Sequence, residues 1–236
     1  MRLKTLKFST LILLTIAFLG TGASTGGPAL VNDTASGELQ AAHPGPGHRQ
    51  PEPAEVEFMR GFLKRINPGL QVEDPACAHE LPRAIYSHSM ANGVEWIKVF
   101  VLAWQESDFD CHAKNRRDKG GAFGPFQIRR LWEPLIGDPR HLYFEPQLAV
   151  DRVVRVVRYY QDTPRYQELI RRGFRTPLLC LYNSGESQRV NRKYCRTARL
   201  KMEAVEESWK EFRSRQEMIT EDLEHTEGSS LRGDGA

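Results

Sequence analysis

The chain has 236 residues, 40% hydrophobic and 9% aromatic, enough for one domain of ordinary size with a true core, plus tails. Its 33 Lys and Arg against 30 Asp and Glu leave a formal charge of +3, which excludes any argument for nucleic acid from overall charge. No stretch reaches the roughly 18 apolar residues of a membrane helix, so stable membrane insertion is not expected.

Residues 1–23 read as an export signal: Arg2, Lys4 and Lys7, an apolar segment from Leu11 to Leu19, then small residues as far as Ala23. Its removal takes away three basic residues and brings the formal charge to zero. No Cys lies near the expected cut, so lipid anchoring is not indicated, and an exported product in the periplasm or medium is expected. Residues 24–54 are rich in Gly, Ala, Pro, Ser and His and form a linker.

A domain follows over residues 55–219. VEFMRGFLKRI puts Val56, Met59, Phe62, Leu63 and Ile66 on one helical face, and Asn67-Pro68-Gly69 ends it. A second helix is predicted over Leu81 to Met90. A third runs from Val94 to Glu106 and is apolar nearly all round, the mark of a buried central helix. Gly120, Gly121 and Gly124 define a loop, with a short hairpin around Ala122 to Ile128. Helices are predicted at Pro146 to Tyr160, Arg165 to Arg172 and Thr176 to Tyr182. The last begins near Thr197 and carries Met202, Val205, Trp209 and Phe212 at spacings of three and four. That stripe suits packing on the domain better than docking a cell-envelope protein. From Thr220 the sequence is a polar, acidic tail. The fold class is mainly α, one domain with flanking helices.

Charge is unevenly spread. Val94 to Arg196 holds 19 basic and 12 acidic side chains, whereas Thr197 to Ala236 holds 6 and 10. A basic segment in an exported protein suits a wall polymer or a membrane surface better than nucleic acid.

Glu106 closes the apolar helix above Val99, Leu102 and Ala103, with Asp108 and Asp110 just beyond. Partial desolvation, the negative end of the helix dipole and two nearby carboxylates all favour a protonated Glu106. A carboxyl kept protonated near neutral pH is what a general acid requires. Paired with one of the abundant arginines, the same residue would merely end the helix.

Three segments stand in order downstream of that helix: Glu106-Ser107, then Gly121-Ala122-Phe123-Gly124-Pro125-Phe126-Gln127, then Tyr182-Asn183-Ser184-Gly185. Together they resemble the lysozyme-like domain of soluble lytic transglycosylases, over roughly Val94 to Arg192. The resemblance implies a cofactor-free enzyme acting on peptidoglycan glycan strands. In that family a single Glu protonates the glycosidic oxygen between N-acetylmuramic acid and N-acetylglucosamine. It then takes a proton from the muramyl 6-hydroxyl, which closes a 1,6-anhydro ring. By resemblance Glu106 is that Glu, Gln127 bonds substrate or backbone near the cleaved bond, and Tyr182 lies against the Glu. Phe126 stands in the substrate groove, and Ser107 and Asn183 support the site. Pro125-Phe126 replace the family's usual Leu-Met, and IRRLWEP replaces a Thr-containing segment, which bears on subsite shape. A hydrolase of lysozyme type would need a second carboxylate, for which Asp118 and Glu133 are the candidates. A wall-binding scaffold of the same fold is the alternative outside catalysis.

Four cysteines in an exported chain suggest two disulfides, assigned here as Cys77 with Cys111 and Cys180 with Cys195. Cys77-x-His79 and Cys111-His112 do not match common zinc spacings, so no metal is assigned. Trp96 and Trp104 read as core, while Trp132 suits the groove and packing equally.

Overall fold

The computed structural model describes residues 52–115, 121–137, 145–185 and 189–230, the last stretch with side chains as far as Glu221. They belong to one compact unit, Gln50–Ala236. The expected export signal, nearly all of the linker, and Asp118 lie outside the described residues.

The structure is mainly helical, as the periodicity dictates. α1 (Ala54–Ile66) is followed by a single turn, α2 (Leu70–Glu73), and by α3 (Pro75–Ala91). α3 starts six residues before the predicted Leu81. Asp74 caps it, accepting the Cys77 N–H at 3.0 Å, and Pro75 occupies the first turn, where its missing N–H costs nothing. Pro82 lies inside α3. Leu81, Ala84 and Ile85 bury there without exposure and keep the helix continuous through it.

α4 (Trp96–Ser107) is the central helix. Val99, Phe100, Val101, Leu102 and Ala103 are five consecutive residues with no exposed surface, so no face of this stretch meets water. It packs on α3, on α8 (Pro177–Ser184) and on α9 (Arg192–Ser230). Between α4 and α6 (Pro146–Gln161) lie three two-residue strands, β1 (Lys114–Asn115), β2 (Ala122–Phe123) and β3 (Ile128–Arg129). They form one antiparallel sheet, β1-β2-β3, with Asn115 opposite Ala122 and Phe123 opposite Ile128. A 3₁₀ turn at Arg130–Trp132 and the short α5 (Glu133–Ile136) follow. α7 (Pro164–Arg171) is capped by Thr163, whose hydroxyl oxygen accepts the Tyr166 N–H at 3.2 Å.

α9 begins at Arg192, five residues before its predicted start, and continues through Thr220 to Ser230, so the helix reaches further than the expected boundary of the tail. Its apolar stripe is used internally. Trp209 meets Phe58 at 5.1 Å and Trp96 at 5.5 Å between ring centroids, and Phe212 meets Phe58 at 5.7 Å. These tilted and edge-on pairs fasten α9 to α1 and α4. Trp96 and Trp104, expected in the core, are partly buried and pack against it. Trp132 packs edge-on against Tyr159 and Tyr160 of α6, at 5.4 and 5.1 Å.

Both assigned disulfides are present, Cys77 to Cys111 and Cys180 to Cys195. The second ties α8 to the first turn of α9 across a separation of 15 residues. Loop-closure entropy gives it about 3 kcal/mol. Replacing both Cys180 and Cys195 with Ser is expected to lower the unfolding free energy in urea by about that amount, with a steeper transition because the freed unfolded chain exposes more surface.

Candidate active site

Glu106 sits on the last turn of α4, half-buried. The helix ends on two successive left-handed residues, Asp108 at φ 53° and Phe109 at φ 71°, and the Phe109 N–H reaches back to the Ala103 carbonyl at 3.3 Å. The Asp108 N–H also donates to the Trp104 carbonyl at 3.3 Å, a left-handed helix cap made here without its usual glycine. Burial holds it in place. Phe109 is fully enclosed, its ring 4.8 Å from that of Phe100, and Asn67 Nδ2 donates to the Asp108 carbonyl at 2.9 Å.

The ending also sorts the three carboxylates that the sequence crowds together. Because α4 stops at Ser107, Asp108 and Asp110 do not share the helical face of Glu106. Asp108 is exposed and faces Lys201 of α9 at 3.4 Å, and Asp110 accepts the His112 N–H at 2.8 Å. The expected repulsion on Glu106 is therefore answered by partners and by solvent. Lys201 also donates to the Trp104 carbonyl at 2.7 Å and lies 4.7 Å above the Trp104 ring, placing a cation at the negative end of the helix. Burial pushes the Lys201 ammonium below the usual lysine range, and Asp108 and Glu106 pull it partly back.

The Gly124–Gln127 turn between β2 and β3 stands against this helix end. Gly124 at φ 70° and Gln127 at φ 46° are left-handed. A Cβ on Gly121, itself at φ 80°, would stand 2.8 Å from the Phe123 ring. Two hydrogen bonds weld the turn to its neighbours. The Ser107 hydroxyl donates to the Pro125 carbonyl at 2.9 Å, and the Tyr182 hydroxyl, from α8, donates to the Phe126 carbonyl at 2.7 Å. The side-chain amide of Gln127 donates to the Ala113 and Gly124 carbonyls at 3.2 and 3.0 Å.

Phe126 is a correction. It is expected in a substrate groove, yet it is fully buried, because the left-handed bend at Gly124 turns its ring into the apolar core. Ser107 likewise holds the turn through its hydroxyl. Asn183 accepts from Asn191 Nδ2 at 3.2 Å, which links α8 to the start of α9.

One participant escapes the sequence reading. The hydroxyl of Tyr194, in the first turn of α9, donates to Glu106 Oε1. Burial raises the Tyr194 phenol far above the ordinary tyrosine range, and the charge and hydrogen bond of Glu106 add to this. Tyr194 thus stays a neutral donor at any working pH. Its signal lay next door: Cys195 pairs with Cys180, two residues before Tyr182, so the disulfide brings Tyr194 beside the third motif.

Such a site presents a carboxyl whose Oε1 is held by a neutral phenol. Tyr194→Phe keeps the ring and removes the donor, and is expected to lower turnover about 10- to 100-fold. For a general acid the high-pH limb of the rate profile moves to higher pH as well, since a carboxylate that loses a donor gives up its proton less readily.

Other constellations resolve differently. Cys77 and Cys111 are bonded to each other, while Asp74 caps α3 and pairs with His112 at 2.9 Å. Glu133 pairs with Arg130 at 3.6 Å on the exposed side of α5. Among the described residues no helix is long and apolar enough to cross a membrane. In comparisons with known proteins, no family model, curated protein or solved structure matches this chain, so the geometry of the site carries the functional argument.

Proposed function

We propose that this protein is an exported lytic transglycosylase that cleaves the β-1,4 bond between N-acetylmuramic acid and N-acetylglucosamine in peptidoglycan, on a lysozyme-like fold. The observation that carries the reading is the junction at Glu106. Three segments far apart in the chain, the end of α4, the Gly124–Gln127 turn and α8, are joined there by the Ser107–Pro125 and Tyr182–Phe126 hydrogen bonds. Tyr194 orients the carboxyl. The two disulfides suit the oxidising compartment that such a substrate requires.

The chemistry needs one carboxyl. Protonated Glu106 gives its proton to the glycosidic oxygen, and the bond to the muramyl anomeric carbon breaks with the electron pair on the departing oxygen. Glu106, now a carboxylate, takes the proton of the muramyl 6-hydroxyl. The oxygen left behind bonds to the anomeric carbon and closes the anhydro ring. Glu106 ends protonated, ready for another turn, and no water is consumed. Because the nucleophile belongs to the substrate, the second carboxylate of a glycosidase, about 5 to 9.5 Å away, has no task here.

Digestion of purified peptidoglycan tests this. Soluble muropeptides lighter by one water than hydrolysis products support the reading. Hydrated products would assign a lysozyme-type hydrolase, and retained wall binding with no products would assign a scaffold.

A further inference from the structure

α1 and α9 lie side by side and run in opposite directions. The start of α1 meets the far half of α9, where Phe58 faces Trp209 and Phe212. Its end at Asn67 meets Asp108, which faces Lys201. Between the two helices runs a groove of about 530 Å³. Phe58, Phe62 and Phe212 give it apolar surface, Arg65 and Arg215 give it positive charge, and Glu57 is the one carboxylate of its lining among the described residues. Gly61 lines it too. A Cβ there would meet nothing within 4 Å, so the groove is open over the α1 backbone. Glycine inside a helix costs about 1 kcal/mol against alanine, a cost that the close approach of another helix would offset.

α9 also extends beyond its packed stripe. Every residue from Arg213 to Glu221 is exposed, Met218 and Ile219 at 57% and 55%, and the helix continues to Ser230. A polar helix of this length with no buried face is marginal in water, so a partner is called for. From Glu217 to Ser230 the sequence holds five acidic residues and no Lys or Arg. The groove offers the opposite charge. Arg65 forms no ion pair among the described residues, and Arg215 is answered only loosely, by Glu211 at 3.7 Å.

Groove and acidic end also match in length. Ser208 to Ile219, which line the groove, span about 16 Å, and Met218 to Gly228 about 15 Å, at 1.5 Å per residue. Laid antiparallel on a second copy and crossing it near Met218, the acidic end runs past that copy's Arg215 toward its Arg65, while neutral Thr220 passes Glu57. The arrangement is isologous, because each copy supplies one groove and one acidic end.

We propose that this chain pairs with a second copy of itself, the acidic end of α9 from each copy seated in the α1–α9 groove of the other. Helix-in-groove packing buries Met218 and Ile219, and the charges fix direction and register. The crossing lies about 36 Å along α9 from Tyr194, so pairing leaves Glu106 accessible and is independent of the reaction proposed there.

Sedimentation velocity on the full chain without residues 1–23 tests this. A monomer–dimer equilibrium is expected, with dimer dominant by about 100 µM and weakened by salt. Gly61→Leu fills the groove while raising helix propensity, so the domain keeps its fold, and the dimer dissociation constant is expected to rise at least about 10-fold. Arg65→Glu with Arg215→Glu is expected to weaken pairing similarly, and adding Glu224→Lys and Glu227→Lys to that chain to restore most of it. A chain that stays monomeric at that concentration would overturn the proposal. A dimer indifferent to Gly61→Leu and to the charge reversals would overturn it too, by placing the interface elsewhere. In a monomer, hydrogen-exchange protection of residues 57–65 that is lost on deleting residues 24–51 would instead give the groove to the chain's own N-terminal segment.

Discussion

Glu106→Gln is expected to lower the release of muropeptides about 10³-fold or more while leaving the fold intact. The substitution is nearly isosteric, and an amide oxygen still accepts from Tyr194, so the partners of the helix end persist. Only the exchangeable proton is lost. Thermal unfolding of the variant is expected within a degree or two of the wild type, because the site is half-buried and no packing is removed. A variant that unfolds early would show that Glu106 chiefly supports structure. One that retains turnover would move the chemistry to another group.

The largest expected effect on stability comes from Phe100→Ala. Phe100 has no exposed surface and its ring touches those of Phe62, Trp96 and Phe109, at 5.7, 6.4 and 4.8 Å. Truncating a fully buried Phe costs about 3–5 kcal/mol, transfer and cavity together, a large part of the 5–15 kcal/mol that holds a domain folded. Urea unfolding measures it. A loss below about 1 kcal/mol would mean that α4 is not the centre of the core. Because Phe109 anchors the left-handed ending of α4, the cavity also loosens the carboxyl two residues before Asp108, and turnover is expected to fall beyond the loss of folded protein.

Much of this architecture was legible in the residues. The uninterrupted apolar run of α4 announced a buried helix, and the spacing of Met202, Val205, Trp209 and Phe212 announced a helix that packs on the domain. Their aromatic partners, Phe58 and Trp96, were long-range and could not be named from periodicity. Four cysteines suggested two disulfides, and the pairing assigned among the possible ones is the pairing in the structure. What failed did so for local reasons. The sequence crowds Asp108 and Asp110 beside Glu106, but the left-handed ending at Asp108 and Phe109 sends them away from it. Phe126 was placed by its neighbours in a motif, whereas the sign of φ at Gly124 decides which way its ring points. Tyr194 was hidden in Arg192-Lys193-Tyr194-Cys195-Arg196, where charged residues mask the start of α9. Its contact spans 88 positions, which no local pattern encodes.

The structure also changes the electrostatic argument at the centre. From sequence, the helix dipole and two neighbouring carboxylates bear on Glu106. In the folded chain Lys201 and Tyr194 answer them, one with charge and one with a fixed hydrogen bond. What remains is a positioned carboxyl rather than a crowded one, and the proposed reaction, in which it acts as acid and then as base, would require such positioning.

The most direct measurement is digestion of peptidoglycan in water labelled with heavy oxygen, followed by mass spectrometry of the soluble products. The expected result is anhydromuropeptides with no label at the muramyl end, produced by the wild type and not by Glu106→Gln. Labelled, hydrated ends would show that water is the nucleophile and would contradict the single-carboxyl mechanism.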